Sequence, residues 1–164
     1  MKIYLACALT HVPDSHFGEY TTYLVELAQK LKSLGHEVKC ALEDSDPQLA
    51  SIERSRKASL CYTWDRDMVE WAELMIAESS FPSTGMGIEL QLADNSQTPI
   101  ILCFHDYGLN RAKSKKYFGA DGNAHNLQVG EGFISLMALG LPSLKCIVQY
   151  ESELDLLNQI LSAL

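Results

Sequence analysis

The chain has 164 residues, is 47% hydrophobic and carries a formal net charge of −8. That length suits one domain over residues 1–164, and the acidity argues against a surface for nucleic-acid polymers. No apolar run reaches the roughly twenty residues of a membrane span. The cysteines Cys7, Cys40, Cys61, Cys103 and Cys146 form neither a CxxC pattern nor a disulfide framework, so reduced thiols and a cytoplasmic setting are expected.

Lys2 to Ala6 reads as a first strand, with Tyr4 in it as a core aromatic. The loop from Cys7 to His16 follows, in which His11 and His16 are expected at the surface or lining a pocket, since no second ligand cluster accompanies them. Tyr20, Leu24, Leu27, Ala28 and Leu31 recur three or four apart, so Phe17 to Leu34 is predicted helical, stopping at Gly35. Glu37 to Ala41 is a second predicted strand, and the polar interval from Leu42 to Ser59 is predicted to be a solvated loop with a short helix. Leu60 to Trp71 is a helix on which Asp65 shares an arc with Cys61, Tyr62, Met68, Val69 and Ala72, whereas Asp67 points with Glu70 to the polar side. An Asp on a buried face is uncommon unless paired. Trp64 and Trp71, seven apart, form one stripe suited to core or subunit-contact packing.

Leu74 to Ala77 is a short apolar run, hence a buried strand, and Phe81 to Gly87 is a cluster of turn residues. A helix carrying Ile88, Leu90, Leu92 and Ala93 follows. Strand, glycine-containing loop and helix N-terminus together suit an anion, because the first-turn N–H groups and the helix dipole face it. Glu89 falls inside the apolar arc with Met86, Leu90 and Ala93. It is not a capping-box acid, since Met86 stands where Ser or Thr is needed. Two readings remain: an acid favoured by the dipole of the first turn, or a carboxylate kept for chemistry.

Pro99 to Phe104 reads as a further buried strand, and the basic stretch Asn110 to Phe118 as a solvated helix. Phe133, Leu136 and Leu139 hint at a short helix ended by Gly140 to Pro142. Leu144 to Tyr150 is the last predicted strand and Glu151 to Leu164 an amphipathic closing helix. The alternation implies an α/β fold, a Rossmann-like or flavodoxin-like three-layer sandwich with a mostly parallel sheet of about five strands. Any pocket belongs at the carboxyl ends of those strands.

The run Pro82-Ser83-Thr84-Gly85-Met86-Gly87-Ile88-Glu89-Leu90, preceded by Ala77-Glu78, resembles the signature of the nucleoside 2-deoxyribosyltransferase superfamily. It is nearest to the branch of 2'-deoxynucleoside 5'-phosphate N-hydrolases. It is not a P-loop, lacking Gly-Lys-Ser/Thr, nor a dinucleotide fingerprint, since Leu90 replaces the third glycine. The resemblance covers residues 1 to about 120 and the closing strand and helix, leaving 122–142 without a counterpart.

The resemblance implies that Glu89 is the nucleophile, that Tyr4 contacts its carboxylate, and that Asp65, by spacing from Ala77-Glu78, is the second catalytic acid. It implies Ser83, with the N–H groups around Gly85 and Gly87, as the binding site for a 5'-phosphate. Ser114, five residues before Gly119, matches an element whose serine reaches the neighbouring subunit's site, so a homodimer or higher homo-oligomer is implied. The chain departs from the pattern at Cys7, where glycine is usual, at Thr10, where the hydrolases carry arginine, and at Ile88, where they carry tyrosine. The implied reaction is hydrolysis of a (deoxy)nucleoside 5'-monophosphate to free base and sugar 5-phosphate, with no cofactor and no metal. Base exchange between deoxynucleosides and a non-catalytic nucleotide sensor are the alternatives.

Overall fold

A computed structural model describes residues 1–164. In chain order the elements are β1 (Lys2–Cys7), α1 (Asp14–Ser33), β2 (Glu37–Cys40), α2 (Ala41–Asp44), α3 (Asp46–Leu49), α4 (Arg54–Trp71) and β3 (Leu74–Glu78). They continue with α5 (Thr84–Asn95), β4 (Ile100–Phe104), β5 (Lys116–Phe118), β6 (Ala124–Asn126), α6 (Leu136–Leu139), β7 (Leu144–Gln149) and α7 (Glu153–Ala163). Five strands form one parallel sheet in the order β2-β1-β3-β4-β7. Helices α1 and α7 meet on one face, and α4 and α5 on the other, giving the expected three layers.

The central strands are continuous apolar runs because both faces are covered. Every residue of β3 and β4 is buried, as is β1 beyond Lys2. Leu5, Ile76, Ile101 and Leu102 are wholly enclosed, each contributing about 1.5–3 kcal/mol by leaving water. The edge strands β2 and β7 alternate instead. Strand order reverses between β1 and β3, so their carboxyl ends open a crevice where an α/β sheet binds ligands.

Several boundaries differ from the sequence reading. α1 starts at Asp14, just after Pro13, and α4 starts at Arg54, so the run from Glu53 to Lys57 is largely its first turn rather than loop. The polar interval holds two single-turn helices, α2 and α3. The stretch Asn110 to Phe118 is not a helix. Its end is β5, paired antiparallel with β6 in an exposed hairpin. Bonds from Ala112 N to Gly132 O (2.8 Å) and from Leu127 N to Lys115 O (2.8 Å) hold this segment extended. The following residues return to the sheet: Phe133 stacks on Phe104 with ring centroids 4.7 Å apart, and α6 forms where Leu136 and Leu139 suggested.

Candidate active site

β1 and α5 bring Tyr4 and Glu89 together across 85 residues of sequence. Tyr4, wholly buried in mid-strand, donates its hydroxyl to Glu89 Oε1 at 3.0 Å. Glu89 sits in the second turn of α5 on the arc it shares with Met86, Leu90 and Ala93, all buried. Burial above all, then the charge of Asp65, pushes its carboxyl up to about 7, while the Tyr4 hydroxyl pulls it down. Tyr4 is itself driven upward by burial and by the two carboxylates, so it stays a hydrogen-bond donor.

Asp65 comes from α4, which packs against α5 and β1. Its Oδ2 accepts the Cys61 thiol at 3.3 Å, one turn earlier, and its Oδ1 is buried without a partner. A buried acceptor left open at a cluster of acids is a place for a ligand donor. Asp67 faces outward and pairs with Arg66 at 2.6 Å, as the helical wheel predicts.

Ser83 caps α5, its Oγ accepting from Met86 N at 3.2 Å. Gly87 N already bonds Ser83 O at 3.1 Å, so Gly87 offers open space rather than a donor. The N–H groups of Thr84 and Gly85 carry no internal bond and point with the helix dipole, as an anion site requires. The first turn of α5 also borders a cavity of about 850 Å³. Ser83 and Gly87 line it beneath His11 and Asn110, and Phe133 and Ile134 close it from the returning segment. Glu89, on the same helix, and its neighbours Tyr4 and Asp65 do not line this cavity. Ser114 is apart from both: exposed on the hairpin arm, it donates to Leu127 O at 2.7 Å.

The sequence reading passes over a second buried carboxylate. Glu78, the last residue of β3, is wholly enclosed and accepts hydrogen bonds from the hydroxyls of Ser80 and Tyr150. Burial raises its carboxyl, and those donors oppose the rise. The signal was an ionisable residue ending an otherwise apolar strand beside the signature. Asn110 lacked any such signal, because its bond to Ser80 O joins residues thirty apart in sequence.

No protein-family model and no curated protein matches the chain. Solved structures do. A CMP N-glycosidase, BcmB, from Clostridium botulinum aligns at 18% identity over 99% of this chain and 98% of its own, with a TM-score of 0.60. A 2-deoxyribosyltransferase from Bacillus psychrosaccharolyticus aligns at 20% identity over 96% and 91%, also at 0.60. A conserved protein from Enterococcus faecalis V583 aligns at 19% over 99% and 98%, at 0.57. The chain therefore has the nucleoside 2-deoxyribosyltransferase-like fold, matched along nearly its whole length.

Proposed function

We propose that the chain is an N-glycosidase that hydrolyses (deoxy)nucleoside 5'-monophosphates to free base and sugar 5-phosphate. The observation that carries this reading is the hydrogen-bonded buried pair of Tyr4 and Glu89, with the half-buried Asp65 and its open Oδ1 beside them. A binding protein gains nothing from enclosing an acid whose charged form is disfavoured. A catalyst gains a nucleophile. The likeness in fold to a CMP N-glycosidase supports the same reading.

In the proposed reaction, a Glu89 oxygen attacks the anomeric carbon as the bond to the base nitrogen breaks. The sugar passes through an oxocarbenium-like state and forms a glycosyl ester. Asp65, through its open Oδ1, protonates or orients the departing base. Water then opens the ester and Glu89 is regenerated as a carboxylate. The Tyr4 hydroxyl holds the Glu89 rotamer throughout. The Ser83 hydroxyl and the free N–H groups of Thr84 and Gly85 take the 5'-phosphate, Gly87 leaves room for it, and Ser114 from a partner subunit in a cytoplasmic homodimer completes it.

Base exchange is the second reading, favoured by the likeness to a 2-deoxyribosyltransferase. The two are separated by incubating the protein with a panel of nucleoside monophosphates and nucleosides, with and without an acceptor base. Base released from monophosphates alone is expected. Exchange without hydrolysis would instead establish the transferase, and no turnover would leave a nucleotide binder. Glu89→Ala should abolish turnover in a folded protein, and substantial residual turnover would remove Glu89 from the mechanism.

A further inference from the structure

We propose that Glu78 is a positioning residue that holds the loop from Ser79 to Ser83 in its anion-binding shape. This rests on the reading of that loop as the phosphate site. A carboxylate only accepts, and every polar group aimed at Glu78 donates. Tyr150 gives its hydroxyl to Oε1 at 2.9 Å, Ser80 gives its hydroxyl to the same oxygen, and Ser80 N lies 3.3 and 3.4 Å from the two oxygens. The Tyr20 hydroxyl, whose oxygen accepts Ala8 N at 3.2 Å, also favours the charged form of Glu78. An amide in this place would set an NH2 group against donors.

The bonds run on from there into the walls of the site. Ser80 Oγ accepts His105 N at 2.8 Å, and Ser80 O accepts Asn110 Nδ2 at 2.8 Å. The next residue, Phe81, packs edge-on to Tyr20 and against Tyr107, with centroids 5.6 and 4.9 Å apart. One carboxylate thereby ties together the residues that leave the carboxyl ends of β3, β4 and β7. No lysine or arginine neutralises it. Apolar packing would hold the strands at lower cost than an enclosed charge. The acid is accounted for by what it orients, namely the loop that delivers Ser83 and the free N–H groups of α5.

The test is binding in the Glu89→Gln background, where turnover is blocked, using the best monophosphate from the panel and its unphosphorylated nucleoside. Adding Glu78→Gln should weaken the monophosphate about tenfold, the scale of one well-placed hydrogen bond, and leave the nucleoside within about twofold. In the active enzyme KM for the monophosphate should rise by a similar factor while kcat stays within about threefold. Equal weakening of both ligands, or none of either, overturns the inference. If Glu78→Gln fails to fold, Tyr150→Phe removes one donor and keeps the carboxylate. A loss of about threefold confined to the monophosphate then supports the inference, and any other pattern overturns it. Monophosphate binding that ignores both changes removes this inference alone. No monophosphate binding to the Glu89→Gln protein removes the phosphate site itself, and the inference with it.

Discussion

Burial and the nearby Asp65 charge raise the Glu89 carboxyl from 4.5 to about 7. At about 1.4 kcal/mol per pH unit, that rise corresponds to roughly 3–4 kcal/mol. The sign follows from linkage: a carboxyl that titrates higher in the folded chain than in the unfolded one favours folding at low pH. That contribution is lost as pH rises from 4.5 through about 7. Glu89→Gln should therefore raise the melting temperature at about pH 8 and leave it nearly unchanged at about pH 4, as thermal unfolding in the two buffers would read. The same ionisation governs the proposed attack, so kcat/KM should fall as pH drops below about 7. Tyr4→Phe removes the one neighbour that lowers the carboxyl, and should move that acid limb to higher pH besides slowing turnover.

At the scale of elements, α5 depends on one side chain for its start. Ser83→Ala deletes the cap on Met86 N and should cost about 1 kcal/mol in denaturant unfolding, with weaker monophosphate binding alongside. Gly132 is as demanding. It adopts φ +93°, and a Cβ there would run into Ala112 O. Gly132→Ala should therefore cost about 1–3 kcal/mol and loosen the hairpin arm, seen as faster amide exchange over residues 111–118. These two elements differ in how legible they were. β4 is an uninterrupted apolar run and β3 is one up to Glu78, and the face of α4 chooses Asp65 over Asp67 on periodicity alone. The signature makes Glu89 and Ser83 visible. The arm was misread because all six residues of β5 and β6 are exposed, so no apolar rhythm marks them as strand. Its shape is set by backbone bonds to distant residues such as Gly132, which composition does not encode.

Across the whole molecule, the sheet order explains why residues from the two ends of the chain share one crevice. β1 borders it, β7 at the sheet edge reaches toward it through Tyr150, whose hydroxyl bonds Glu78 at the end of β3, and the helices are kept to the outer layers. The chain is acidic overall, yet its arm bears Arg111, Lys113, Lys115 and Lys116, and it exposes Phe118 at 81% and Tyr117 at 51%. An arm of this kind is suited to a second copy, as the proposed homodimer requires. Replacing Phe118 with Ser should shift sedimentation toward a single chain at micromolar concentration; unchanged sedimentation of a dimer would place the contact elsewhere.

Three of the five thiols are sealed in the interior, whereas Cys61 and Cys146 reach the surface. Burial and the Asp65 charge push the Cys61 thiol up to about 11, which leaves it a sluggish target for iodoacetamide. Asp65→Asn should quicken its alkylation severalfold. Cys61 thus becomes a chemical gauge of the charge on Asp65, readable by mass spectrometry without turnover.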